Sequence, residues 1–492
     1  MIDYKSTRGH DEIKNSAQAI IQGIAKDKGL FVPRSIPAIE GGIGSLVGRD
    51  YKDIAYEVLS RFLSDFSKED ILDAVQKAYD SKFEKDEIVP LIEKGGVHFL
   101  ELYHGKTSAF KDMALSILPH LLTKSLKKEK ENKKIIILTA TSGDTGKAAL
   151  EGFADVENTE IIVYYPVDGV SQVQRMQMIT QEGKNTHVVA IKGNFDNAQT
   201  GVKNIFSDDV FNKGLNDKGY MLSSANSINI GRLVPQVAYY VYAYAQLIGA
   251  GKIKDGESIN IVVPTGNFGN ILAAYYASHM GVKVHKFICA SNKNKVLTDF
   301  INTGIYDINR QFYVTNSPSM DILISSNLER LLYHLSDGKE EVIRELMLQL
   351  ENEKKYEIPD DVKERMKIFA AGFADEQDTI EAIKDLYQRE NYLMDTHTAV
   401  AYDVYSKYKE NTKDDTITII ASTASPYKFS NSVIAALDEE ASGTEFELVQ
   451  QLEKITGIPI PKGLKDLDKK EVLHHRVIEK EDMLKELEKA YL

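Results

Sequence analysis

The sequence predicts an α/β protein built on parallel sheets that are covered on both faces. Three observations carry that reading. Short runs rich in Ile and Val, at 135–138, 160–165, 187–191, 259–263, 284–289 and 416–420, recur along the chain. They are continuous rather than alternating, as expected of strands buried on both sides. Small-residue, helix-prone stretches separate them, which is the βαβ arrangement. Finally, three of the runs lead directly into a small-residue loop and then a helix, the junction where open α/β sheets hold ligands.

In chain order, residues 1–85 read as a mainly helical N-terminal domain, with Ile54, Val58, Leu59, Phe62 and Leu63 on one helical face. Residues 86–435 carry the α/β region, with an inner, smaller subdomain at about 135–250. The charge run KSLKKEKENKK at 124–134 predicts a solvated helix end and turn, and the charged stretch 336–391 an outer helical layer. Residues 436–492 read as a helical extension that packs back on the body and ends in a surface helix. A chain of 492 residues exceeds what one core usually organises, so two or three domains are expected.

The net charge of −13 argues against nucleic acid or an anionic membrane as the main partner. The opening MIDYKSTRGH lacks a basic segment followed by an apolar one, and no apolar run approaches the ~20 residues of a membrane span. The expectation is a cytoplasmic protein, a monomer or small homo-oligomer. The lone Cys289 lies in an apolar run, which favours an inert buried thiol over a nucleophile. His104, His397 and the His474–His475 pair lack ligand spacing and accompanying carboxylates, so no metal site is expected. Of these, His397 is the candidate to line a site.

The three loops are Thr139 to Gly146 with Ser142, Gly143, Asp144 and Thr145 at its centre; Gly266-Asn267-Phe268-Gly269-Asn270; and Ala421 to Pro426 with Thr423. Glycine allows close backbone approach, and a helix N-terminus adds partial positive charge, so each loop suits an anionic or polar ligand group. Two look-alikes fail. Gly143 to Lys147 lacks the spacing of a nucleotide P-loop, and Gly266 to Asn270 lacks G-x-G-x-x-G. Lys111 stands between Phe110 and Met113 at a helix start, where desolvation and the helix end disfavour the ammonium. The same local pattern also describes a snorkelling surface lysine.

The run HGKTSAFKDMAL around Lys111, followed by TSGDTG and TGNFGN, resembles the signatures of the threonine synthase family. The resemblance extends from Tyr4 and Ser6-Thr7-Arg8-Gly9 through Gly29-Leu30-Phe31-Val32-Pro33, Asn226-Ser227-Ile228-Asn229 and Arg232. It continues through Ser319-Met320-Asp321, Ser326-Asn327-Leu328-Glu329-Arg330 and His397-Thr398-Ala399-Val400 to Ser422-Thr423-Ala424. It is similar to the long, bacterial and fungal branch.

The resemblance implies a fold-type II (tryptophan synthase β-like) pyridoxal 5'-phosphate enzyme that turns O-phospho-L-homoserine and water into L-threonine and phosphate, by γ-elimination and β-addition. It implies Lys111 as Schiff-base lysine and general base. Gly266, Asn267, Phe268, Gly269 and Asn270 would hold the cofactor phosphate, and Thr423 would meet the ring nitrogen. Ser142, Gly143, Asp144 and Thr145 would receive the substrate carboxylate, and Asn226, Ser227 and Arg232 the substrate phosphate. Lys106, Lys28, Ser425 and Tyr427 depart from the usual family residues without removing a group the chemistry needs; Lys106 is expected to face solvent. A phospholyase or dehydratase releasing a 2-oxo acid shares Lys111 and the loops, and a non-catalytic metabolite-binding homologue is the reading from another class.

Overall fold

The Ile/Val runs form strands in two separate sheets. The computed structural model describes residues 1–9, 12–141, 143–168 and 170–492. In the smaller sheet the order is Arg476–Glu479, Thr186–Lys192, Thr159–Pro166, Lys134–Ala140 and Tyr220–Ser223, every pair parallel. In the larger it is Phe369–Phe373, Val284–Ser291, Ile259–Pro264, Thr418–Ser422, Val97–Glu101 and Leu91–Lys94, parallel except for the last pair.

Both faces are covered, as continuous apolar runs require. Ile135 and Ile137 enter one core while Ile136 and Leu138 enter another. Likewise Ile261 and Val263 face one way and Val262 the other. The first of these cores also takes Tyr4, Val58 and Phe62 from the N-terminal segment, so that segment shares its interior with both sheets. Through that interior runs the Ile230–Gly249 helix, with Tyr239, Tyr240 and Tyr244 fully buried. It packs on the Tyr51–Phe62 and Gly269–Met280 helices.

Three segments differ from expectation. Val97–Glu101 and Phe369–Phe373 are strands of the large sheet, though VHFLE and FAAGF carry no Ile/Val run; their neighbours supply the pairing. The tail expected as purely helical places Arg476–Glu479 against the edge of the small sheet before the Met483–Tyr491 helix. Four residues are too few to show a period. The 124–134 run is, as expected, the end of the Leu118–Lys128 helix and a turn.

Candidate active site

Lys111 lies on the segment that leaves the carboxyl end of Val97–Glu101. That segment is closed on itself by Thr107, whose N–H and hydroxyl donate to the Asp112 carboxylate at 2.8 and 2.6 Å. Gly105 is required beside it, since a Cβ there would stand 2.4 Å from Asp112 Oδ2. Burial pushes the Asp112 carboxyl up to about 6, against the two Thr107 hydrogen bonds. The segment is then stitched to the loop after Thr418–Ser422. Phe110 N–H donates to Thr423 O at 2.8 Å, and Ser425 N–H donates to Ser108 O at 3.0 Å. Two of the sequence candidates, Lys111 and Thr423, are thereby brought side by side.

The Lys111 side chain is 14% exposed, and its Nζ lies 3.8 Å from Asp144 Oδ2. Burial lowers the Lys111 ammonium below the ordinary lysine range; Asp144 opposes that shift, while Lys428 and Arg232 add to it. The sequence expectation of a desolvated amine beside Phe110 holds, with Nζ 5.4 Å from that ring. Lys111 is thus a buried lysine poised to act as an amine.

Asp144 opens the Asp144–Phe153 helix after Gly143, whose φ of +149° and close approach to the Gln174 side chain exclude a Cβ. Thr141 Oγ1 accepts from Gly143 N–H and Gly146 N–H at 3.0 and 2.9 Å. Among the described residues, the Asp144 and Thr145 N–H groups are therefore the ones open to an anion at this helix end. Ser142 lies outside the described residues. The Asp144 carboxylate itself takes Lys428 Nζ and Gln174 Nε2 on Oδ1. Burial alone would raise it, yet Lys428 and then Lys111 hold it well below the usual carboxylate range.

The glycine loop is held from outside. Gly266 O accepts from Ser325 Oγ at 2.7 Å, and Asn267 O accepts from Asn327 N–H and Nδ2 at 3.1 and 3.0 Å. Phe268 sits at φ +64° in the cap position just before the Gly269–Met280 helix, whose start carries no side-chain cap. The loop's own N–H groups thus face an uncapped helix start, a ready cradle for a phosphate. A Cβ on Gly266 would strike Ser319 O at 2.6 Å. His397 fixes that neighbouring turn: its Nε2 accepts from Ser319 N–H at 3.1 Å and its Nδ1 donates to Asp395 at 2.9 Å. His397 is a support of the glycine loop through Ser319.

Arg232, in the first turn of the buried helix, donates to Ala225 O, while its Nε has no partner among the described residues. Its guanidinium is lowered to about 10 by burial, and no carboxylate pairs with it among them. Asn226 and Ser227 lie half-buried in the loop before this helix. Asn270 Oδ1 accepts from the Tyr240 hydroxyl, leaving Nδ2 buried without a partner among the described residues, as is Ser108 Oγ.

Other candidates fall away from this cluster. Lys106 is half-exposed and pairs with Glu151 at 2.6 Å. His104 bonds Glu101, and His474 bonds Gln181 O. Among the described residues no group of His, Cys, Asp and Glu could hold a metal ion, and no helix is long and apolar enough to cross a membrane. Burial pushes the Cys289 thiol up to about 12. A polar cavity of about 1290 Å³ opens beside Lys147 and Glu151 but includes none of the Lys111, Arg232 and Thr423 set. Chemistry, not volume, locates the site.

Sequence reasoning did not find Lys428. The signal was present: it is the one charged residue between Asp415 and Asp438. Arg330 was read only as part of a motif. It is fully buried and donates to Phe31 O, Asn327 Oδ1 and Ile228 O.

A buried amine, an uncapped glycine-lined helix start and the buried Thr423 hydrogen-bonded through its backbone to the lysine segment fit pyridoxal phosphate, and Asn270 and Ser108 offer buried donors unpaired among the described residues. Residues 3–79 match the family model for the threonine synthase N terminus, 91–423 that for pyridoxal-phosphate dependent enzymes, and 398–485 that for the threonine synthase C-terminal region. Threonine synthase of Schizosaccharomyces pombe is 36% identical over 468 residues, 89% of each chain. Threonine synthase-like 1 of Homo sapiens is 40% identical over 434 residues; these are 86% of this chain but 58% of that protein, so the chain spans less than two thirds of this relative. The crystal structure of pyridoxal-phosphate-bound threonine synthase from Brucella melitensis superposes with a TM-score of 0.88 at 33% identity, covering 100% of this chain and 99% of that one. Site chemistry, matched regions and shared fold agree: the chain belongs to the threonine synthase family of fold-type II, pyridoxal-phosphate-dependent enzymes.

Proposed function

We propose that this chain converts O-phospho-L-homoserine and water to L-threonine and inorganic phosphate, the last step of threonine biosynthesis. The observation that carries the reading is Arg232. A fully buried guanidinium without a carboxylate is costly unless an anion completes it, and a phosphate matches its planar fork. Cofactor enzymes acting on unphosphorylated amino acids have no need of a second phosphate site near the lysine.

When bound, pyridoxal phosphate withdraws electrons from the substrate skeleton and acidifies its Cα. The residues around it would then act as follows. The Gly266 to Asn270 loop holds the cofactor phosphate through backbone N–H groups, and the Thr423 hydroxyl meets the ring nitrogen without supplying a charge. Asp144 and Thr145 N–H groups receive the α-carboxylate. Lys111, kept as a free amine, takes the Cα proton and serves Cβ in turn. Arg232, with Asn226 and Ser227, holds the phosphate as it leaves Cγ with growing negative charge. Water then adds at Cβ.

Incubation with O-phosphohomoserine, with threonine, phosphate and 2-oxobutanoate measured together, tests this. Threonine and phosphate in equal amounts are expected. Phosphate with 2-oxobutanoate in place of threonine would overturn the proposal in favour of a phospholyase, and no release of phosphate would overturn both.

A further inference from the structure

Lys428 has no role in the reaction as derived so far, yet its side chain is wholly buried in the site. It follows Pro426 in the short turn after Thr418–Ser422, on the large sheet. Its Nζ reaches across to Asp144 Oδ1, at the end of a small-sheet helix, and donates also to Thr107 O at 3.1 Å. Gln174 Nε2 meets the same Oδ1 at 3.0 Å. The carboxylate is thus engaged on one oxygen, and its other oxygen stands 3.8 Å from Lys111 Nζ, beyond hydrogen-bond distance.

We propose that Lys428 is a positioning residue: it serves as the close counter-ion of Asp144, and so limits how far that carboxylate acts as the counter-ion of Lys111. The inference rests on Lys111 being the cofactor lysine. The charged groups facing Lys111 are Asp144 from the small-sheet helix, Lys428 from the large-sheet turn, Arg232 from the central helix and Asp112 from its own segment. Of these, Asp144 and Asp112 favour its protonation, and Asp112 is occupied by both Thr107 donors. Asp144 is therefore the group that can hold a proton on Lys111, and Lys428 decides how far it does so. An opposite charge within ~4–6 Å moves a pKa by roughly 1–3 units. Removing Lys428 leaves Asp144 with Lys111 as its nearest cation.

The arrangement has a second consequence. Because Lys428 and Asp144 belong to different sheets, the pair ties the state of Lys111 to the approach of the two halves of the site. A separation of the sheets would weaken both contacts to Asp144 together.

The test is a pH titration of the visible absorption band of the holoenzyme, which reports protonation of the nitrogen supplied by Lys111. Lys428→Met should move the midpoint upward by about one unit or more, and Lys428→Arg, which keeps the charge, should restore most of the shift. The double variant Asp144→Asn/Lys428→Met, lacking both charges, should return close to the wild-type midpoint. Asp144→Asn alone should lower it, and this reading survives if Lys428→Met does not fold. An unmoved midpoint in Lys428→Met, or a double variant displaced as far as the single one, would sink the proposal. Failure of Lys111 itself as cofactor lysine is distinguished separately, because Lys111→Ala would then retain the band.

Discussion

At the scale of single residues, the site is a set of buried charges that are deliberately mismatched. Arg232 is a buried cation without a carboxylate partner among the described residues, Lys111 is a buried lysine whose ammonium form burial disfavours, and Asp144 is shared among three groups. Uncompensated charge in a protein interior is costly, so its presence marks function rather than stability. Lys111→Ala should abolish the visible cofactor band and lower turnover by about 10²–10⁴-fold, the usual contribution of a positioned base; spectroscopy and steady-state kinetics check the two effects separately. Arg232→Ala should leave the band in place while reducing kcat for O-phosphohomoserine by about 10²–10³-fold. Equal losses of cofactor binding and turnover would count against its assignment to the substrate phosphate. The activity profile should rise with pH through the lowered value of Lys111, because only the unprotonated amine accepts the Cα proton.

At the scale of elements, the scattered signatures prove to be a bracket around the glycine loop. Arg330 ties Phe31 of the GLFVP segment, Asn327 of its own segment and Ile228 of the NSIN segment. Its neighbour Glu329 accepts from Thr7 and Arg8 of the STRG segment, and Asn327 passes the restraint on to Asn267. Among the described residues none of these hydrogen bonds involves the Lys111 or Arg232 side chain; they fix the loop that would hold a phosphate. Arg330→Met removes the donor from two buried oxygens, Phe31 O and Asn327 Oδ1, and from the part-buried Ile228 O; each buried one is left unsatisfied at about 1–3 kcal/mol before relaxation. A fall of about 3 kcal/mol in unfolding free energy is expected, read as a lower urea midpoint at unchanged slope. Weaker cofactor retention should accompany it, measured as release on dialysis. His397 works alike through Ser319, and its neutral ring, donating from Nδ1 and accepting at Nε2, is the tautomer its partners demand.

For the whole molecule, two sheets and the N-terminal segment share one interior, and the C-terminal tail closes the small sheet. Met483 and Leu487 cover the face made by Ile136, Leu138 and Ile191. Met483→Ala should cost about 2–5 kcal/mol as a buried truncation, seen in chemical denaturation. Acid sensitivity has an identifiable contributor in His334, which accepts or shares a hydrogen bond with Tyr276 at 2.9 Å and is lowered from 6.5 to about 3, chiefly by burial. The unfolded chain takes up this proton as pH falls through 6.5, while the folded chain does so only near 3. Its stabilising share is therefore complete above 6.5 and is lost progressively on acidification toward 3. The difference in stability between wild type and His334→Leu should shrink along that range, as measured by denaturation at successive pH values.

Much of this was legible in one dimension. Continuous Ile/Val runs announced strands buried twice over, because period and burial are local consequences of composition. Lys111, Thr423, Arg232 and the glycine loop stood out as candidates because the motifs that carry the family resemblance are short and contiguous. What the chain order could not reveal is which distant pieces meet. Lys428 lies 284 residues from Asp144, Arg330 lies 299 from Phe31, and the four-residue strand Arg476–Glu479 exists through the edge it joins. The sequence alone determined the fold class, which follows from residue type and local spacing, and implied the kind of chemistry through motifs that resemble those of the threonine synthase family. The tertiary structure decided the charge state of that chemistry, because an amine's proton depends on burial and on counter-ions that only folding brings within a few ångströms.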